Sequence, residues 1–124
     1  MRTVITGGPR TGKTTLAATY TEHVEHTDAL IDQCEWSEAS ERVAGWFDRP
    51  GPWVVEGVAA VRALRKWLAN NPEGRPCDVV VWLDEPKVEI TDGQDTMAKG
   101  CATIWSETEP GLVERGVIIE LPDA

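Results

Sequence analysis

At 124 residues, 41% of them hydrophobic and 27% charged, the chain fits one domain, residues 1–124, and leaves no room for a second. Its 12 basic against 21 acidic side chains give a formal charge of −9, which argues against a grip on nucleic acid, since phosphate backbones are held by clustered Lys and Arg. No apolar stretch approaches the ~20 residues of a membrane span, the N-terminus lacks a signal-peptide core, and Cys34, Cys77 and Cys101 lack C-x-x-C spacing, so a cytoplasmic protein with reduced thiols and no membrane partner is expected.

The first predicted element is a strand at Arg2-Thr3-Val4-Ile5-Thr6, a β-branched run suited to burial. It leads into Gly7-Gly8-Pro9-Arg10-Thr11-Gly12-Lys13-Thr14, which fits G-x-x-x-x-G-K-[ST] at every fixed position. Glycines there let backbone N–H groups curl around a polyphosphate, the lysine reaches the β- and γ-phosphates, and the Thr14 hydroxyl is placed to ligate Mg²⁺. Leu16, Ala17, Tyr20 and Val24 recur at helical spacing and predict a helix over 13–23, whose N-terminus adds free N–H groups and a positive dipole end. The expected ligand of residues 7–14, with Thr15 beside them, is therefore Mg·ATP or Mg·GTP. His23 and His26 fall near the end of that helix and read as solvated.

Thr27-Asp28 marks a turn, and Ala29-Leu30-Ile31 a short second strand ending at Asp32. Ser37 is the expected N-cap of a helix with Ala39, Val43, Trp46 and Phe47 on its apolar side, stopped by Arg49-Pro50-Gly51-Pro52. Trp53-Val54-Val55-Glu56-Gly57 reads as a third strand with an acid at its C-terminal edge. The helix predicted over 58–69 shows Val61, Leu64 and Leu68 on one face and Arg62, Arg65 and Lys66 on another. After a loop over 70–76, Val79-Val80-Val81-Trp82-Leu83 is the most apolar run, expected to be covered on both faces and ended by Asp84-Glu85-Pro86. Thr91-Asp92-Gly93-Gln94 has the pattern of a capping box. Met97, Cys101, Ile104, Trp105, Thr108 and Leu112 follow at helical spacing, Pro110 is expected to kink or restart the helix, and Gly116 ends it before a last strand over 117–121.

Strands alternating with helices imply parallel pairing and right-handed crossovers, hence a three-layer α/β/α sandwich around a mainly parallel five-stranded sheet. Ligands of such sheets sit at the C-terminal edge of the strands, where residues 7–14, Asp32, Glu56 and Asp84 are expected to meet.

On the octapeptide and its flanks the chain resembles the P-loop NTPases, which implies their fold. Asp84-Glu85, after a hydrophobic strand, is similar to the Walker B pair of motor and transporter ATPases, which implies hydrolysis coupled to a protein partner, with Asp84 on Mg²⁺ and Glu85 activating water. The order of the whole chain resembles instead the small-molecule kinases of the nucleotide, nucleoside and shikimate type. There Glu56-Gly57 matches the acid and glycine that end the third strand, and the run from Val80 to Pro86 is similar to the fourth strand and turn of thymidylate-kinase-like enzymes.

The kinase resemblance is preferred, and it implies transfer of a γ-phosphoryl group to a small nucleoside-like or nucleotide-like acceptor. Lys13 would then neutralise the phosphates, Thr14 with Glu56 or Asp84 would serve the metal, Asp32 would be the acceptor-side base, and Lys99 the lid cation among Lys87, Lys99 and Arg115. The aspartate-glycine-aromatic-proline-arginine signature of nucleoside monophosphate kinases is absent, which favours a hydroxyl acceptor backed by Asp32 and Glu35. Trp36 is open between stacking on a substrate ring and packing, and the Arg62, Arg65, Lys66 face between an acceptor-phosphate site and solvent. Oligomerisation and a protein partner stay open. The two resemblances differ in one testable way: the kinase order puts the third strand beside the first and Glu56 near the Thr14 hydroxyl, whereas the motor order puts the fourth strand there with Asp84.

Overall fold

β1 (Arg2–Gly7) is buried from Thr3 onward and pairs in parallel on both sides. A computed structural model describes residues 1–31 and 33–121. Along the chain β1 is followed by α1 (Lys13–Ala17), β2 (Val24–His26), α2 (Asp28–Ile31), α3 (Trp36–Trp46), β3 (Trp53–Glu56), α4 (Ala59–Asn70), β4 (Val79–Leu83), α5 (Asp92–Glu114) and β5 (Ile118–Glu120). The strands form a parallel five-stranded sheet in the order β2-β3-β1-β4-β5. Alternation along the strands divides the apolar side chains between two cores. Val4, Val55, Val80 and Trp82 pack with Val43, Leu64 and Ile104 of α3, α4 and α5, while Ile5, Val54, Val81 and Leu83 pack with Leu16 and Ala17 of α1. Helices thus cover both faces of the sheet, and β4 is buried at all five positions, as its unbroken apolar run requires.

The region between β1 and α3 departs from the sequence expectation. The first helix stops at Ala17 instead of reaching 23, and Thr19 Oγ1 donates to Leu16 O at 2.7 Å, a side-chain bond to the backbone that competes with helix continuation. Val24, taken for a helical position, lies in β2 opposite Val54. The expected second strand at Ala29-Leu30-Ile31 is instead the single turn α2, with Leu30 N–H bonded to Thr27 O at 3.0 Å. Three apolar residues carry no period that separates strand from helical turn, and tertiary pairing decided it. Strand two therefore ends at His26, and His26 belongs to a strand edge instead of a helix end. Asp32, the expected end of strand two, lies outside the described residues.

Elsewhere the boundaries shift little. Glu35, without a side-chain bond, takes the N-cap of α3 in place of Ser37. Helix α5 runs through Pro110 to Glu114 without restarting, and both Pro110 and Ser106, whose carbonyl loses its amide partner to the proline, are exposed to water. Gly116, at φ 83°, closes that helix. Cys77 and Cys101 are buried, and burial pushes the Cys77 thiol up to about 12, so it stays protonated and inert. No helix among the described residues is long and apolar enough to cross a membrane.

The capping box at the start of α5 is complete: Gln94 N–H donates to Thr91 Oγ1 at 3.1 Å and Thr91 N–H to Gln94 Oε1 at 3.0 Å. Thr91→Ala is expected to lower unfolding stability by about 1 kcal/mol, measured by urea denaturation. The loss of amide protection should map to Gln94, whose amide partner is the Thr91 hydroxyl.

Candidate functional site

The chain leaves the C-terminal edge of β1 through a turn in which Gly7 and Gly12 take positions closed to other side chains. A Cβ on Gly7 would lie 2.2 Å from Leu83 O, because β1 and β4 pair at those two residues. Gly12, at φ 91°, forms the N-cap of α1, and Arg10 adopts a left-handed conformation at φ 63°. The turn is held by three kinds of contact. Thr11 Oγ1 donates to Gly8 O at 2.9 Å, Lys87 N–H donates to Arg10 O at 2.8 Å, and Ala98 of α5 packs against Gly8, where an added Cβ would meet its methyl at 3.1 Å.

Lys13 opens α1, yet only 7% of it is exposed. Its Nζ donates to Gly8 O and, at 3.3 Å, to Thr11 Oγ1, so the ammonium lies inside the curl of the loop. Burial pushes it below the ordinary lysine value, against the pull of Glu56 and Asp28. The loop, α1 and the segment after β4 border an open cavity of about 930 Å³, within the size range of small-molecule sites. Residues 9–15 all line it, with Asp28, Val58, Lys87 and Val88 on the remaining walls.

Two acids were expected at this edge besides Asp32. Glu56 is 1% exposed at the end of β3, beside β1, and it is held from two sides. Thr14 Oγ1 donates to Glu56 Oε2 across a long 3.4 Å, and His26 Nδ1 lies 2.7 Å from Oε1, because His26 and Glu56 are in register across β2 and β3. Asp84 is exposed just beyond β4, on the other side of β1, and its Oδ1 accepts from Trp82 Nε1 at 3.4 Å. Both neighbours of β1 thus carry an acid, and the Thr14 hydroxyl bonds the one from β3. Among the described residues no group of three His, Cys, Asp or Glu is arranged as a metal cage. Thr14 and Glu56 are hard oxygen donors of the kind Mg²⁺ takes when most of its shell is phosphate and water.

Lys99, the expected lid cation, has a side chain 79% exposed on α5, pairs with Asp95 one turn earlier at 3.1 Å, and does not line the cavity. Lys87 does, and its aliphatic stem passes over Gly12. The basic face of α4 is divided: Arg65 meets Glu107 at 3.4 Å and Lys66 meets Glu41 at 3.9 Å, both in solvent, while Arg62 lies over the Trp36 ring at 5.5 Å. The sequence reading gave His26 no role and passed over Lys87 in favour of Lys99. The boundary of β2 was needed to place His26 opposite Glu56, and the hydrogen bond from Lys87 N–H to Arg10 O has no local sequence signature. No protein-family model matches the chain, and no curated protein sequence matches it.

Proposed function

We propose that the protein is a P-loop phosphotransferase that binds Mg·ATP or Mg·GTP along residues 7–15 and transfers its γ-phosphoryl group to a small nucleoside-like or nucleotide-like acceptor. One observation carries the kinase reading over hydrolysis: the strand beside β1 that delivers an acid to the Thr14 hydroxyl is β3, with buried Glu56. Lys13, whose ammonium is already desolvated in the loop, exchanges its bonds to Gly8 O and Thr11 Oγ1 for β- and γ-phosphate oxygens. Thr14 would ligate the Mg²⁺ and Glu56, behind it and outside the cavity lining, would support it through metal-bound water; the ion would neutralise charge on the phosphates. His26 fixes the Glu56 carboxylate through Oε1, leaving Oε2 toward Thr14. Arg10 and Lys87 border the same cavity and are the further cations available to a transferring phosphoryl group there. Asp28 and Val58 line the same cavity outside the loop and α1, and the acceptor is assigned to their part of it.

The test measures ADP formation from Mg·ATP with and without a panel of nucleosides, monophosphates and other hydroxyl compounds. Acceptor-dependent turnover is expected, and Glu56→Gln should lower it by about 10–100-fold, the range for outer groups that support a metal. Hydrolysis is the second reading, favoured by exposed Asp84-Glu85 beyond β4. Phosphate release that no acceptor increases, lost in Asp84→Asn and retained in Glu56→Gln, would establish it instead.

A further inference from the structure

Arg62 differs from the other two cations of its helix. Arg65 and Lys66 reach carboxylates in solvent, whereas Arg62 meets no carboxylate among the described residues of a protein with 21 acids. Its partner is an aromatic face: the guanidinium carbon lies 5.5 Å from the centroid of Trp36, which is itself half-buried against the α3, α4 and α5 core. At that range a cation–π contact restrains a guanidinium without satisfying its N–H donors. Arg62 stands one helical turn beyond Val58, on the same face, and Val58 lines the cavity. Arg62 is half-buried and is not itself among the residues that line the cavity, which it adjoins through Val58.

We propose that Arg62, steadied on Trp36 beside the Val58 end of the cavity, binds an anionic group, phosphate or carboxylate, on the phosphoryl acceptor. This deepens the phosphotransferase reading and rests on it. A guanidinium offers two parallel N–H donors to either anion, and its position on α4 separates it from Lys13, which serves the nucleotide. Trp36 and Arg62 would thus set specificity for an anionic acceptor over a neutral one.

The experiment first saturates the protein with Mg·ADP, then titrates nucleoside monophosphates, hydroxycarboxylates, sugar phosphates and neutral nucleosides by calorimetry. The expected result is that one anionic class binds more tightly than the neutral compounds, that Arg62→Ala weakens it by about tenfold or more, and that Arg62→Lys recovers part of the loss. Arg65→Ala should leave it unchanged, and thermal melts report whether each variant is folded. Which class binds separates phosphate from carboxylate as the source of the anion. Tighter binding of neutral compounds, no anion bound by the Mg·ADP complex, or equal anion affinity in folded Arg62→Ala overturns the assignment while the nucleotide site stands. Failure of Mg·ADP itself to bind overturns the phosphotransferase reading, and this inference falls with it.

Discussion

Lys13→Ala is expected to fold and to lose about 10²-fold or more in affinity for Mg·ATP, the consequence of removing a desolvated cation from a charge-assisted contact worth roughly 3 kcal/mol. The fold should survive because two effects offset each other. Removing the side chain takes away its bonds to Gly8 O and Thr11 Oγ1, but it also removes an ammonium that burial disfavours. Thr11 Oγ1 still donates to Gly8 O, and Lys87 N–H still anchors Arg10 O, so the curl of the loop keeps two of its ties. Calorimetry with Mg·ATP, beside circular dichroism of the same sample, checks both halves. Unchanged affinity in a folded variant would remove the nucleotide-binding reading.

The largest effect on stability is expected at Gly57, immediately after the buried acid. Its φ of 139° lies where L side chains are strained, and an added Cβ would stand 1.8 Å from Thr27 Oγ1 and 3.0 Å from Thr27 Cβ. Neither residue can retreat. Gly57 N–H donates to Ile5 O at 3.1 Å, its carbonyl accepts from Thr6 Oγ1 at 2.9 Å, and Thr27, fully buried, is tied through its N–H to Glu56 O at 2.9 Å. Gly57→Ala should therefore destabilise by about 3 kcal/mol or more, combining backbone strain with overpacking.

Thr27→Ala should recover part of that loss in the double variant, since it deletes the atom at 1.8 Å and that hydroxyl has no hydrogen-bond partner. The single Thr27→Ala change should be mild for the same reason. Urea denaturation of the four proteins in the cycle measures the coupling. Additive losses would mean that the two residues do not press on each other. Because Gly57 sets the exit of β3, its substitution should also move the Glu56 carboxylate away from Thr14, lowering activity in whatever fraction still folds.

What the sequence by itself determined lies where the signal is local. The octapeptide over 7–14, the unbroken apolar run of β4, the Thr91 to Gln94 capping box and the helical spacing through Leu112 each depend on neighbours a few residues away, and each appears where the pattern places it. Glu56 at the end of β3 was legible for the same reason, a β-branched run closed by an acid and a glycine. Tertiary structure decided the rest. Val24-Glu25-His26 became a strand because β3 offered a parallel partner, and that pairing turned His26 from a helix-end residue into the neighbour of Glu56. Leu30 settled in a helical turn once β2 had taken the sheet edge. Lys87 reaches the cavity on a segment whose backbone bonds Arg10, while Lys99 stays exposed on α5 with Asp95. Arg62 was singled out from Arg65 and Lys66 only when the packing of α3 on α4 laid Trp36 beneath it. Strand pairing and the choice of partner for a long charged side chain depend on residues distant in the chain, and the energy that selects among them is packing, which a periodic pattern does not encode.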